Sequence, residues 1–300
     1  MLFALCVIVL LGGLGYELAR ASLPSMHRFG LPFLATSTWD PVRDHYGAWP
    51  FIYGTLYSCL LALLIAVPIS LGAAIFLAEL APAWLRNPVS FMVELLAAVP
   101  SVIYGLWGLF VLVPVLRPLE AWLGQRLGVI QIFGRNVSPF QGAPYGIGML
   151  AAGLILAIMI QPIITAVSRE VLLAVPRAQR EAAYALGATR WEALHGPVLR
   201  YARAGIIGAV ILGLGRALGE TMAVTMLIGN APNVSGSVFE LASTMPSVLA
   251  NQYQEATSPL HISALMEIAL LLFAVAILIN ALARLLLWSV SRGAPQGVQG

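Results

Sequence analysis

Apolar residues come in long blocks along this chain, separated by short polar stretches. Six blocks, at about 1–18, 52–78, 91–116, 146–168, 205–229 and 263–288, hold roughly the 20 apolar residues that a bilayer-spanning helix needs. Within each block the apolar positions go all the way round a helix. They therefore read as membrane spans, not as amphipathic helices lying on a surface. The pattern predicts an all-α fold: a polytopic membrane helix bundle of six transmembrane helices, one domain over residues 1–300. There is no internal repeat and no low-complexity linker.

Composition agrees. The 300 residues are 60% hydrophobic and 10% charged, with a mean hydropathy of +0.89, where soluble domains carry about 25% charged residues. The first block admits a second reading, a cleaved leader, because Ala19-Arg20-Ala21 resembles a small-x-small processing site. No basic residue precedes the apolar run, which favours an uncleaved span. Pro68, Pro100 and Pro162 fall inside blocks. Each frees a backbone carbonyl that protein, water or a side chain must satisfy, and a structural kink is a plainer reading than a gating hinge.

Orientation follows the arginines. The connection at 169–204 carries Arg169, Arg177, Arg180, Arg190, Arg200 and Arg203, the short 80–90 connection carries Arg86, and the tail carries Arg284 and Arg292. Arg20, Arg28, Arg43, Arg117, Arg126 and Arg135 lie in the longer loops at about 19–51 and 117–145. The first set is expected on the cytoplasmic side, with both termini inside and a third outer loop at about 230–262. The localisation expected is the plasma (bacterial inner) membrane.

Net charge is +3, and every one of the sixteen basic residues is arginine. A phosphate-binding P-loop needs a lysine in G-x-x-x-x-G-K-[ST], so this chain carries no standard ATP-hydrolysing loop. Cys6 and Cys59 sit in apolar runs and read as buried hydrophobes. His27, His45, His195 and His261 are scattered and offer no ligand spacing. No catalytic constellation of paired His, Ser-His or Asp-Asp appears.

Charge inside a span is costly, at least about 2.5–3.5 kcal/mol for one residue at the bilayer centre. The fifth block nevertheless holds Arg216 and Glu220, four apart and so expected on one helix face. Arginine presents five donors in a fixed fork, suited to phosphate or carboxylate. Glu220 could hold Arg216 when no anion is present, and the plainer alternative is a structural ion pair. Gly215 and Gly219 make a G-x-x-x-G step, with Gly208 adding another small surface, which predicts close helix packing. Glu267, in the sixth block, and Glu94, near the inner end of the third, are further candidates for a substrate path or simply solvated acids.

The stretch Arg180-Glu181-Ala182-Ala183-Tyr184-Ala185-Leu186-Gly187 is polar and helix-prone. Pro176 suits the first turn of a short helix, residues 177–186 are mostly strong helix formers, and Gly187 fits a left-handed position just past the end. Thr189-Arg190-Trp191-Glu192 forms a capping box that starts a second short helix, which Gly196-Pro197 is expected to stop. Tyr184, Leu186 and Trp191 would supply apolar contacts to a docked partner.

This stretch resembles the coupling loop of ABC importer permeases, E-A-A-x3-G followed nine residues later by I-x-L-P. Glu181, Ala182, Ala183 and Gly187 match. At the far end Leu199 is kept, while Pro197 and Arg200 stand where the family has Ile and Pro. Residues 97–108, AAVPSVIYGLWG, and 213–224, GLGRALGETMAV, resemble the third- and fifth-span signatures of phosphate-specific permeases. Together with Leu265-Met266-Glu267 they favour the PstC-type subunit over the PstA-type. The likeness runs from about residue 25 to 290. Relatives usually carry a charged stretch before the first span, whereas here the apolar run begins at Met1.

The resemblance implies the type I, MetI-like permease architecture and import of inorganic phosphate. It places Arg216 and Glu220 along the phosphate path, and Glu181, Ala182, Ala183, Tyr184, Gly187 and Trp191 at an ATPase-coupling surface. The partners it implies are a second, PstA-type permease, a PstB-type ATPase dimer and a periplasmic or lipid-anchored PstS-type phosphate-binding protein, besides membrane lipid and with no nucleic acid. No cofactor is expected on this chain; ATP and Mg would sit on the ATPase. Alternatives are the same machine for phosphonate, sulfate or molybdate, a secondary transporter coupled to an ion gradient, or a membrane scaffold that transports nothing.

Overall fold

The computed structural model describes residues 2–127, 130–132, 135–137 and 139–292. Met1, the tail beyond residue 292 and part of the expected 117–145 outer loop lie outside the described residues. Six helical segments are long and apolar enough to cross a membrane: Leu5–Phe29, Trp49–Leu80, Ser101–Arg126, Met149–Leu173, Arg190–Leu218 and Pro259–Ser289. The number expected from the hydrophobic blocks is met. Three of the boundaries move, each for a local reason.

Helix α1 (Leu2–Phe29) continues well past residue 18, straight through Ala19-Arg20-Ala21. Good helix formers fill that segment, and Leu23, Met26 and Phe29 continue the apolar spacing at three residues. The third block splits. Helix α3 (Ala83–Ala98) ends at Val99, which is extended, and α4 (Ser101–Trp107) starts with Pro100 at its N-cap. Proline disfavours helical backbone in the residue before it, so Pro100 divides two helices instead of kinking one. A π-helical turn at Gly108–Leu112 then joins α4 to α5 (Val113–Leu127), and the span is Ser101–Arg126 instead of 91–116. The third shift is in the fifth block, described below. Pro68 and Pro162, by contrast, lie inside the continuous helices α2 (Trp49–Ile75) and α6 (Met149–Leu173).

The remaining helices are α7 (Arg177–Ala185), α8 (Arg190–Ala193), α9 (Leu199–Leu218), α10 (Met222–Leu227), α11 (Met245–Gln252) and α12 (Pro259–Arg292). A short antiparallel pair, β1 (Ile130–Ile132) with β2 (Arg135–Val137), registers Gln131 opposite Asn136.

The helices assemble into two compact units. Of the described residues, one comprises those within 2–61, 100–156 and 218–277, the other those within 62–99, 157–217 and 278–292. The core of the first gathers Phe33, Trp39, Tyr46, Phe51, Met245 and Leu265. Trp39 meets both Tyr46 and Phe51 edge-on at 4.9 Å between centroids, the geometry aromatic quadrupoles favour. Burial, and then the Asp44 carboxylate that accepts from its hydroxyl at 3.2 Å, pushes the Tyr46 phenol up to about 12, so it stays a donor. In the same unit α4 packs on α10. A Cβ at Gly105 would stand 3.0 Å from the Ala223 Cα, and one at Gly108 would stand 2.6 Å from a Leu227 methyl. The two signature stretches of the sequence thus meet, and glycine is what lets them. The first N–H groups at the start of α6 donate to loop carbonyls, Met149 to Glu240 and Leu150 to Val238, which satisfies a helix end that would otherwise be unpaired.

The second unit is built on α6, α9 and the polar connection between them. Its core gathers Ala74, Ala78, Leu172, Val175, Leu194, Val198 and Ala202. The close approach of α9 to α6 uses Gly205, where a Cβ would lie 2.5 Å from Val171, and Gly213, where it would lie 2.8 Å from Ile164. Of the small positions expected to pack, Gly208, Gly215 and Gly219, the first two meet nothing within 4 Å. Gly205 and Gly213 are eight residues apart, about 2.2 turns, and so bracket one broad face roughly 80° wide; Gly208 and Gly215 lie roughly 100–120° from the middle of it.

Candidate functional site

The polar connection is built as its sequence predicts up to Trp191. Pro176 precedes α7, and Leu186 ends it. Gly187 follows with φ +83, its N–H donating to the Tyr184 carbonyl at 2.9 Å, while Ala188 N–H donates to the Ala183 carbonyl at 3.1 Å. This pair of bonds is the Schellman motif, which needs a left-handed residue at the position of Gly187. Nothing lies within 4 Å of a Cβ there, so the demand is conformational and not spatial. Thr189 then caps α8. Its hydroxyl accepts from Glu192 N–H at 3.3 Å, and its own N–H donates to Glu192 Oε2 at 2.7 Å.

The stop expected at Gly196-Pro197 is absent. Leu194–Val198 forms a π-helical turn that runs directly into α9. Pro197 has no N–H to donate and its ring would clash with the carbonyl four residues back; the wider turn accommodates both. The second short helix is therefore the first turn of the fifth span. From the Thr189 cap to Leu218 the chain is one helical rod.

Along this connection Glu181, Ala182, Tyr184, Leu186 and Trp191 are exposed, and Ala183 is half-buried. Leu186 is 90% exposed and Trp191 63%, which leaves apolar surface open at the end of α7 and the start of α8. Trp191 packs against His195 at 4.2 Å between rings. Behind this surface lies a groove of about 660 Å³ lined by Glu79, Arg180, Tyr184, Trp191 and Leu194 among others.

The path candidates fall in different settings. Helix α9 ends at Leu218, and Thr221 has φ −110 and ψ −64 before α10 begins. The helix expected at 205–229 is thus interrupted at Gly219-Glu220, and the four-residue spacing does not place Arg216 and Glu220 on one helical face. Glycine at 219 lowers helical preference, and Glu220 Oε1 accepts from Ala223 N–H at 3.4 Å instead of continuing the helix. Arg216 is half-buried in the last turn of α9, and its Nε is buried with no hydrogen-bond partner. Glu267 is 5% exposed on α12 beside Ser25 of α1, at a seam where Ser263 accepts from Ser25 N–H and donates to the Ala21 carbonyl. Glu94 is exposed on α3.

Two residues were not singled out as a pair from the sequence. Arg180 Nη2 lies 2.6 Å from Glu79 Oε1, with both side chains largely buried. They are 101 positions apart. The only sequence trace is an acid stranded in the apolar FLAEL end of the second block.

A sequence profile of the family described as "Binding-protein-dependent transport system inner membrane component" matches residues 68–292. This chain belongs to that family. The match spans the connection, the α9 rod and α12, and so includes every candidate residue above. Among its relatives, the phosphate transport system permease protein PstC of Pasteurella multocida is 47% identical over 97% of this chain and 90% of its own length. The protein of the same name from Mesorhizobium japonicum is 46% identical over 96% and 87%, and that from Mycobacterium leprae 40% over 90% and 84%. The methionine ABC transporter MetNI has a chain that superposes with a TM-score of 0.58 at 19% identity, over 84% of this chain and 99% of that one. That likeness establishes the MetI-like permease fold. The chain is a multi-pass membrane transport subunit, and the type I architecture expected from the coupling-loop resemblance holds.

Proposed function

We propose that this transport permease carries inorganic phosphate inward across the bacterial inner membrane, driven by ATP hydrolysed on a separate subunit. The observation that carries the reading is its near full-length likeness to phosphate transport permeases, 47% over 97% of the chain. Both termini lie in the cytoplasm, as the arginine bias favours. A PstS-type binding protein delivers phosphate from outside. A PstA-type permease completes the pathway, and the open surface at Gly208 and Gly215 of α9 suits close approach of another helix. A PstB-type ATPase dimer, holding ATP and Mg, docks at Glu181, Ala182, Ala183, Tyr184, Gly187 and Trp191.

Arg216 is the phosphate contact in this reading. Its guanidinium has an uncommitted buried Nε, and a fork of donors matches phosphate oxygens. Glu220 and, with less to support them, Glu267 and Glu94 line the route. Affinity at Arg216 must be modest, since cargo has to leave. The seamless α8–α9 rod supports the energy coupling: motion imposed at Trp191 reaches Arg216 without crossing a flexible loop. The test is uptake of radiolabelled phosphate, with excess unlabelled sulfate, in cells whose own phosphate permease is deleted. Sulfate-resistant uptake restored by this chain and its neighbours supports the assignment. Uptake of sulfate or molybdate in place of phosphate would transfer it to another oxyanion.

A further inference from the structure

Consecutive residues on α7 point to different surroundings. Glu181 is exposed, whereas Arg180 turns inward and is bonded on every nitrogen. Its Nε and Nη2 donate to Glu79 Oε1 at 3.2 and 2.6 Å, Nη1 donates to the Val175 carbonyl at 2.6 Å, and Nη2 also donates to the Leu172 carbonyl at 2.9 Å. Glu79 belongs to the π-helical turn Phe76–Leu80 that ends α2. Leu172 and Val175 close the end of α6. One guanidinium therefore ties three elements together, adding donors to the Val175 carbonyl and to the Leu172 carbonyl, which also accepts from Val175 N–H at 3.3 Å.

The rest of α7 is weakly held. It has nine residues, none of them fully buried, and a free helix shorter than about 12–15 residues is marginal. It packs against the π turn at Leu194–Val198, which leads into α9. Among the described residues, its ion pair with the end of α2 is the one made by Arg180.

We propose that the Arg180–Glu79 pair is the joint through which displacement of α7 is passed to the inner ends of α2 and α6, making both positioning residues for energy transduction. This rests on the docking of an ATPase at α7. The two side chains are 18% and 21% exposed, so the pair is shielded from the screening that weakens surface ion pairs. Arginine's planar fork fixes both distance and angle, which a mechanical link requires and a point charge does not give. Removing the joint leaves the outer docking face of α7 intact but lets the helix move without pulling α2.

The experiment uses the whole purified importer in proteoliposomes, with ATP hydrolysis and phosphate uptake measured on the same preparations of Glu79→Ala, Glu79→Gln and Arg180→Lys. The expected result is unchanged co-purification of the ATPase, largely retained hydrolysis, and uptake per ATP reduced about tenfold in Glu79→Ala, the size of effect typical of coupling residues. Glu79→Gln, which keeps an acceptor, should recover part of the coupling. Arg180→Lys, which keeps the charge but loses the fork, should not. Unaltered uptake per ATP in Glu79→Ala overturns the proposal. So does loss of the assembled complex in both Glu79 variants, which would make the pair a folding element only. Leu186→Asp separates the underlying docking reading: it should strip the ATPase from the complex. Retention of the ATPase by that variant would refute docking at α7 without bearing on the Glu79 ratios.

Discussion

Arg216 and Gly187 show how single side chains are placed for different tasks. Arg216 sits in the last turn of a helix with a buried, uncommitted Nε; in the proposed function that is a donor an anion need not first pull from a partner. Arg216→Gln removes the charge while keeping hydrogen-bonding capacity. Uptake should fall roughly tenfold or more, since hydrogen bonds to charged groups contribute about 1.5–3 kcal/mol. Complex assembly, read by co-purification, should be unaffected. Gly187 is constrained by its φ of +83 and not by neighbours. Gly187→Val should therefore cost at least the ~1–2 kcal/mol of left-handed backbone and lower phosphate-stimulated ATP hydrolysis. Gly187→Asn, a residue that tolerates this conformation, should keep most of it. Equal loss in both variants would point to a side-chain clash with the partner instead of a backbone demand.

At the scale of elements, helix ends decide what the sequence did and did not reveal. The Schellman turn at Gly187 and the capping box at Thr189–Glu192 were legible because each is a local pattern with one geometric meaning. The fifth span was misplaced because hydrophobicity continues through Gly219-Glu220 into Met222–Leu227 while the helix does not. Pro197 misled in the other direction: a π turn absorbs the proline and joins α8 to α9. The Arg180–Glu79 contact joins residues 101 apart, and no periodicity reports such a contact. The glycine face of α9 was expected at the spaced pair, but packing uses Gly205 and Gly213. Gly213→Leu should thus destabilise the permease in detergent by about 1–3 kcal/mol or more, the cost of overpacking. Gly215→Ala should leave the melting temperature of the isolated chain near that of the parent. The reverse order of effects would mean that α9 packs on its other face.

Across the whole molecule, six apolar segments and the absence of lysine frame the function together. A chain that crosses the membrane and lacks a P-loop lysine carries no standard ATP-hydrolysing loop of its own, and in the proposed function ATP is hydrolysed on a partner. In the proposed function the connection at 177–198, with its exposed Leu186 and Trp191, is the surface that partner docks on. A transporter coupled to an ion gradient has no use for this surface, and a scaffold has no use for Arg216. The most direct measurement is phosphate uptake into proteoliposomes holding this chain with its partner permease and ATPase, with the binding protein added outside and ATP enclosed or omitted. The account predicts uptake that needs both ATP and the binding protein, persists in excess sulfate and collapses in Arg216→Gln. Uptake that proceeds without ATP under an ion gradient, or that is unchanged in Arg216→Gln, would contradict it.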